Sequence, residues 1–149
     1  MKYFLIVPCL FVAAAALSQE FQEKAMDKMA EIAEKCVPAV GANDEDIGEL
    51  MERKMPSRRE GKCLIACFSK ELGMMKDGKP SKEGTIAALE PLKADDADLY
   101  DKAMKILETC EAELQKETET DECELAVKAA ACTHKTGKEM GIDAESIMG

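Results

Sequence analysis

The chain has 149 residues, a formal net charge of −10, seven cysteines and no tryptophan. An acidic chain repels the phosphate backbone of nucleic acids and the surface of anionic membranes, so we expect no nucleic-acid partner. The length suits one domain, and the low aromatic content favours helices over strands.

The N-terminus has the features of a secretory signal. An apolar run over residues 3–16 follows Lys2 and ends in small residues with an A-x-A-like pattern. This order predicts a signal peptide over residues 1–18 that is cleaved after Ser18. The run is shorter than the roughly 20 apolar residues of a membrane-spanning helix. We therefore expect a secreted, extracellular protein with a single domain over residues 19–149.

The first predicted helix begins near Phe21. Apolar residues recur there at spacings of three and four, which is the period of one helix face. They are Phe21, Ala25, Met29, Ile32 and Cys36. Pro38 and Gly41 are expected to end this helix.

Two further helices are predicted from their first residues. Asn43 is the expected N-cap of a second helix over residues 44–54, which ends before Pro56. Ser57 and Glu60 have the spacing of a capping box, and this predicts the start of a third helix.

The third helix is expected to end at Gly73, a residue type that commonly follows a helix C-terminus. Residues 76–81 are rich in turn-forming residues and are predicted to form a turn. A short fourth helix is expected over residues 85–90, where Pro91 limits it.

Two longer helices complete the predicted fold. Asp95 or Asp96 is expected to cap a fifth helix that runs to about Leu114. Residues 118–121 are expected to separate this helix from a sixth helix over residues 122–135, and the middle of the sixth helix is nearly apolar. The sequence therefore predicts an all-α fold, a compact bundle of about six helices.

Cys9 lies in the predicted signal peptide, so six of the seven cysteines remain after cleavage. An even number of cysteines in a short secreted chain predicts three disulfides. Cys63 and Cys67 are four residues apart on one helix and should bond to different partners. Cys123 and Cys132 are expected on opposite faces of another helix and should not bond to each other. These restrictions leave several pairings open. The six cysteines are Cys36, Cys63, Cys67, Cys110, Cys123 and Cys132.

The spacing C-x26-C-x3-C-x42-C-x12-C-x8-C over residues 36–132 resembles that of the six-cysteine insect odorant-binding proteins. The resemblance implies three interlocked disulfides around a central apolar cavity. It also implies a carrier that binds odorants, pheromones or other lipophilic molecules, transports them through aqueous lymph and delivers them to a membrane odorant receptor. The implied pairs are Cys36–Cys67, Cys63–Cys123 and Cys110–Cys132.

Apolar residues of the predicted helices are candidate ligand contacts. Nine methionines follow the signal peptide, and their flexible side chains favour an adaptable pocket. One polar anchor is expected from Tyr100, Ser69 or Thr85. The segment after Cys132 is expected either to cover the pocket as a lid or to fray. The candidate residues are Met29, Ile32, Leu50, Met51, Met55, Leu64, Phe68, Leu72, Met75, Ile86, Leu89, Tyr100, Met104, Leu107, Val127, Ala130 and Ile142.

The sequence contains no pattern typical of an enzyme. His134 is the single histidine, and its place near the end of a helix favours a structural or surface role. Motifs that hold phosphates, dinucleotides, calcium or zinc are absent, so we expect no cofactor and no metal.

Two alternatives to a ligand carrier remain. One is a secreted disulfide-stabilised interaction or structural protein with a solid core and no ligand, and the other is a small hydrolase. We expect a monomer or a weak homodimer.

Overall fold

The computed structural model describes residues 17–142, and all but the last two residues of the predicted signal peptide lie outside this range. Residues 17–142 form six helices and one two-stranded hairpin, which confirms the predicted all-α bundle. None of these helices is long and apolar enough to cross a membrane. The elements are α1 (Gln19–Val40), α2 (Asp44–Met51), α3 (Arg59–Glu71), β1 (Met75–Lys76), β2 (Lys79–Pro80), α4 (Lys82–Asp95), α5 (Ala97–Leu114) and α6 (Glu122–Glu139).

Three of the predicted helix starts are confirmed by their hydrogen bonds. The side chain of Asn43 accepts from the amide of Asp46 at 3.1 Å, and the Asp46 carboxylate accepts from the amide of Asn43 at 2.9 Å. Asp96 caps α5 through the amide of Leu99 at 2.9 Å. Asp121 caps α6 through two backbone amides. Each cap satisfies amides that have no partner within the helix.

The capping box predicted at Ser57 and Glu60 is wrong. Helix α3 begins at Arg59, and Arg58 occupies the N-cap position without a capping side-chain bond. The guanidinium group of Arg58 contacts Glu60 at 3.3 Å and the buried carboxylate of Asp46 at 3.0 Å. Glu60 is therefore engaged by an arginine and does not reach back to the amide of Ser57.

Two prolines that were expected to limit helices lie inside them. Pro38 belongs to α1, which ends before Gly41, and Pro91 belongs to α4, which continues to Asp95. Both prolines are exposed. Water can therefore hydrate the carbonyl oxygen that each proline leaves without an amide partner, so the helix continues.

Two helix ends also differ from the prediction. Helix α2 ends three residues early because Arg53 adopts a φ of 58°. The amides of Arg53 and Lys54 then donate to the carbonyl groups of Leu50 and Glu49, which is a Schellman motif. Helix α6 continues past the predicted end at residue 135, because Thr136 and the residue after it are buried in the bundle.

The three disulfides have the interlocked pairing that the resemblance implied. Cys36–Cys67 joins α1 to α3, Cys63–Cys123 joins α3 to α6, and Cys110–Cys132 joins α5 to α6. The crosslinked residues are separated by 31, 60 and 22 positions in the sequence. Loops of these lengths correspond to about 3 to 4 kcal/mol of stabilisation per bridge in the chain-entropy account.

The buried apolar residues of the described range, except Leu92 on α4, form three clusters, and each cluster contains a disulfide sulfur. One cluster joins α1 to α3, one joins α3 to α6 and β1, and one joins α5 to α6. The space between the last two clusters is not filled by side chains. The clusters are Ile32, Cys36 and Leu64; Ala66, Met75, Cys123, Leu125 and Ala126; and Ile106, Cys110 and Cys132.

Candidate functional site

A cavity of about 710 Å³ lies between the hairpin, α4, α5 and α6. Small-molecule sites in proteins usually have volumes of roughly 300 to 1,000 Å³. A cavity of this size with an apolar wall can remove most of the surface of a small apolar molecule from water. The apolar wall residues are Met74, Met75, Leu89, Ala103, Ile106, Leu107, Cys110, Leu114, Leu125 and Ala129.

Helix α5 contributes a continuous strip of the wall. The lining residues of this helix follow one another at spacings of three and one, which keeps them on a single face. Their character changes along the helix: the strip is apolar from Ala103 to Cys110, and polar side chains enter it at Glu111 and Gln115, on either side of Leu114. The cavity therefore has an apolar end and a polar end.

The hairpin closes one side of the cavity and is fixed by a close backbone contact. Asp77 and Gly78 have φ values of 53° and 74°, which are typical of the tight turn between paired strands. At the start of α4, a Cβ atom on Gly84 would lie 1.7 Å from the carbonyl oxygen of Gly73. Only glycine fits at position 84, and this contact sets the path of the chain around the hairpin.

Six residues with hydroxyl groups line the cavity: Ser69, Ser81, Thr85, Thr118, Thr120 and Thr133. Thr85 donates to the carbonyl of Ser81 at 2.8 Å, and Thr133 donates to the carbonyl of Ala129 at 2.9 Å. Ser69, which lies on α3, also lines the cavity. Two of the three predicted anchors thus line the cavity.

Tyr100, the third predicted anchor, lies outside the wall. The ammonium group of Lys93 sits 5.5 Å from the centroid of its ring. A cation in this position is attracted to the face of the aromatic ring. The half-buried ring of Tyr100 is therefore engaged by an exposed lysine of α4.

Six charged side chains line the polar end, which we call the charged end: Asp77, Lys79, Lys82, Glu111, Glu117 and Glu119. A Cβ atom on Gly78 in the hairpin turn would lie 3.8 Å from the Cβ atom of Glu122, at the start of α6. The loop with Glu117 and Glu119 directly precedes that start. Lys82 contacts Glu111 at 2.6 Å, which joins α4 to the same end.

Glu119 is held by the backbone. Its carboxylate accepts from the amides of Asp121 and Thr120, both at 2.9 Å. These bonds stabilise the ionised carboxylate and lower the pKa of Glu119 below its ordinary value. The group therefore carries its negative charge at neutral and mildly acidic pH.

Three of the seventeen predicted ligand contacts lie in the cavity wall: Met75, Leu89 and Leu107. Their contact with a ligand stays a prediction.

The other fourteen predicted contacts lie outside the wall. Ile32 and Leu64 are buried in the cluster between α1 and α3, and Leu50, Phe68 and Leu72 pack against this cluster. Met29, Met51 and Met55 are exposed, Met51 to 79%. Ile142 packs against the cluster between α5 and α6. Ile86, Tyr100, Met104, Val127 and Ala130 are half-buried on α4, α5 or α6.

Several lining residues were not among the predicted ones. The helical period through Leu107 leads to Ala103, Cys110 and Leu114, so this signal was present in the sequence. The polar loop residues 117–120 carry no apolar pattern. Their place at the cavity depends on how α5, α6 and the hairpin meet.

Comparison with known proteins gives consistent results. Residues 18–136 match the PBP/GOBP family. The chain is 34% identical over 146 residues to general odorant-binding protein 19d of Drosophila melanogaster, which covers 97% of this chain and 95% of that protein. It is 32% identical over 140 residues to general odorant-binding protein 28a of the same species.

Two solved structures have the same fold. Odorant-binding protein dmelOBP28a from Drosophila melanogaster aligns with a TM-score of 0.69 at 31% identity, over 81% of this chain and 98% of that chain. Apis mellifera odorant binding protein 5 aligns with a TM-score of 0.61 at 17% identity, over 86% of this chain and 98% of that chain. The family match, the cysteine pairing and the fold agree, and the chain belongs to the PBP/GOBP family of insect odorant-binding proteins.

Proposed function

We propose that the chain is an extracellular carrier that binds one small hydrophobic molecule in the cavity between the hairpin, α4, α5 and α6. The observation that carries this proposal is the 710 Å³ volume with its apolar wall. Burial of apolar ligand surface contributes about 25 cal/mol per Å² and would supply most of the affinity. An interaction protein with a solid core is not expected to leave such a volume empty.

The crosslink next to the wall supports this use of the space. Cys110 lines the cavity, and its bond to Cys132 fixes α5 against α6. Close packing normally removes voids of this size from protein interiors. A covalent link across the wall allows the two helices to keep their separation when no side chain fills the space between them.

The expected location follows from the same features. A predicted signal peptide and three disulfides fit an oxidising, extracellular compartment. Relatives bear the name odorant-binding protein, and we extend ligand binding of this kind to the present chain. Delivery to a membrane receptor and a monomeric or weakly dimeric state are part of the proposal. A carrier of this kind releases its ligand chemically unchanged.

Displacement of a fluorescent apolar probe tests the proposal. The probe N-phenyl-1-naphthylamine should bind the disulfide-intact protein, and 1-dodecanol should displace it. Ala103→Phe with Ala129→Phe places two rings in the cavity and should abolish probe binding. Ala112→Phe is a matched control because Ala112 is exposed on α5 and does not line the cavity.

The control should bind the probe as the unaltered protein does. Circular dichroism checks that both variants keep their helices. Equal probe binding in all three proteins, or none in the unaltered protein, contradicts the proposal.

A further inference from the structure

We infer that the cavity selects its apolar ligands by the charge of their head group, so that it binds protonated amines more tightly than neutral alcohols and carboxylates least tightly. This inference rests on the proposed function and adds the chemical class of the ligand. It is carried by the arrangement of charges at one end of the cavity.

The shape of the wall gives an elongated ligand one preferred direction. Along α5 the wall runs from Ala103 at the apolar end to Gln115 at the charged end. Twelve residues of helix span about 18 Å at 1.5 Å per residue. A linear amphiphile would therefore lie along this strip with its alkyl chain beside Ala103, because this direction leaves the head group among polar side chains.

The charges at that end do not cancel. Glu111 is paired with Lys82, and Glu117 is paired with Lys128. Among the described residues that line the charged end, this leaves the carboxylates of Asp77 and Glu119 against the single ammonium group of Lys79. A ligand head group thus meets an excess of negative charge at the place where its own charge would lie.

Helix ends do not reverse this balance. Helix α6 begins at this end, where the carboxylate of Asp121 accepts from two of its first amides and so offsets its positive pole. Helix α4 begins at the charged end and presents its positive pole, whereas α5 ends there and presents its negative pole. The two poles are of similar size and opposite sign, so side-chain charges decide the local potential. The formal net charge of −10 over the whole chain acts in the same direction, because it attracts cations and repels anions.

Three ligands with twelve carbon atoms and different head groups separate the effect of the head group from that of the tail: dodecylamine, 1-dodecanol and dodecanoate. Each is titrated below its micelle concentration against the fluorescent probe at neutral pH and low salt. We expect the amine to bind about fivefold more tightly than dodecanoate, as partly exposed charge pairs have modest energies. The ratio should fall towards one at high salt, because dissolved ions screen the charges at the charged end.

A pair of double variants locates the effect. Asp77→Asn with Glu119→Gln removes both unpaired carboxylates; asparagine tolerates the positive φ at position 77, and glutamine still offers an oxygen to the two amides. Asp27→Asn with Glu34→Gln removes the same formal charge from exposed positions of α1, which contributes no residue to the cavity. The amine-to-dodecanoate ratio should fall to about one only in the first double variant.

The outcomes are distinct. Failure of 1-dodecanol to bind the unaltered protein contradicts the proposed function, and the inference falls with it. Binding of 1-dodecanol together with equal affinities for amine and dodecanoate overturns the inference alone. An equal fall of the ratio in both double variants overturns it as well, since the overall charge would then be the cause.

Discussion

The backbone amide of Ser18 donates to one oxygen of the Asp95 carboxylate at 2.9 Å, and the Ser18 hydroxyl group donates to the other. The same hydroxyl oxygen accepts from the amide of Phe21 at 3.2 Å. Ser18 therefore caps α1 and also attaches the start of α1 to the end of α4. Cleavage after Ser18, as the sequence alone predicts, would remove both interactions.

Cleavage two residues earlier would preserve these interactions. Ala14 and Ala16 also have the small-x-small spacing that signal peptidases require. We therefore predict that the secreted chain begins at Leu17. The intact mass of protein secreted by cultured insect cells checks this, and a mass corresponding to a chain that starts at Gln19 would contradict it.

Two helical glycines should respond oppositely to replacement by alanine. Gly84→Ala places a methyl group against the backbone of Gly73 and should destabilise the fold by at least about 2 kcal/mol. Gly48→Ala in α2 meets no atom within 4 Å and should stabilise the fold by roughly 0.5–1 kcal/mol. Urea unfolding of both variants measures these changes. The account of Gly84 is wrong if both substitutions stabilise the protein.

Removal of two disulfides in separate variants should distinguish the effect of a crosslink on the stability of the fold from its effect on ligand binding. Cys110→Ser with Cys132→Ser and Cys36→Ser with Cys67→Ser open loops of 22 and 31 residues, so each should cost about 3 to 4 kcal/mol. Only the first pair adjoins the cavity wall. Probe affinity, measured at a temperature where both variants remain folded, should fall several-fold in the first variant and stay near its original value in the second. Equal losses of affinity would mean that the wall does not depend on its own crosslink.

Asp121 should make the stability of the fold depend on pH. The hydrogen bond from Arg59, followed by that from the amide of Glu124, lowers the pKa of Asp121 below its ordinary value of 3.8. A carboxylate whose pKa is lower in the folded state stabilises the fold above the unfolded value, and this stabilisation is lost as the pH falls through the folded value. The melting temperature should therefore drop on acidification below about pH 4.

Asp121→Asn should reduce the melting temperature by a few degrees at neutral pH and much less in acid. Asp27→Asn, on the exposed face of α1, is the control and should change neither value. A constant difference between Asp121→Asn and the unaltered protein across this pH range would show that the carboxylate charge is not the cause.

Periodicity in the sequence predicts which residues turn inward, but not what they face. Ile32 and Leu107 lie on apolar stripes of the same kind, yet Ile32 packs against another helix and Leu107 lines the cavity. The difference comes from contacts between helices that are distant in the sequence. Met51 was expected at the pocket and is exposed, because α2 ends there in a Schellman motif.

Capping and crosslinking were more predictable than the cavity. Asn43, Asp96 and Asp121 cap amides that are two or three residues ahead of them, so a local pattern is sufficient to identify them. The cysteine spacing identified the family, and the family implied the pairing. The charged end is assembled from the hairpin, α4, α5 and a loop, and no local pattern connects these segments.

The three bridges run in series, from α1 to α3, from α3 to α6 and from α6 to α5. Cys63–Cys123 is the middle link, and it is the one disulfide of the three that connects the α1–α3 pair to the α5–α6 pair. Helix α4 and the hairpin are outside this series and are held by main chain and noncovalent contacts. The crosslinks therefore brace only the α5–α6 side of the cavity, whereas main chain and packing alone hold the hairpin and α4 against its other side.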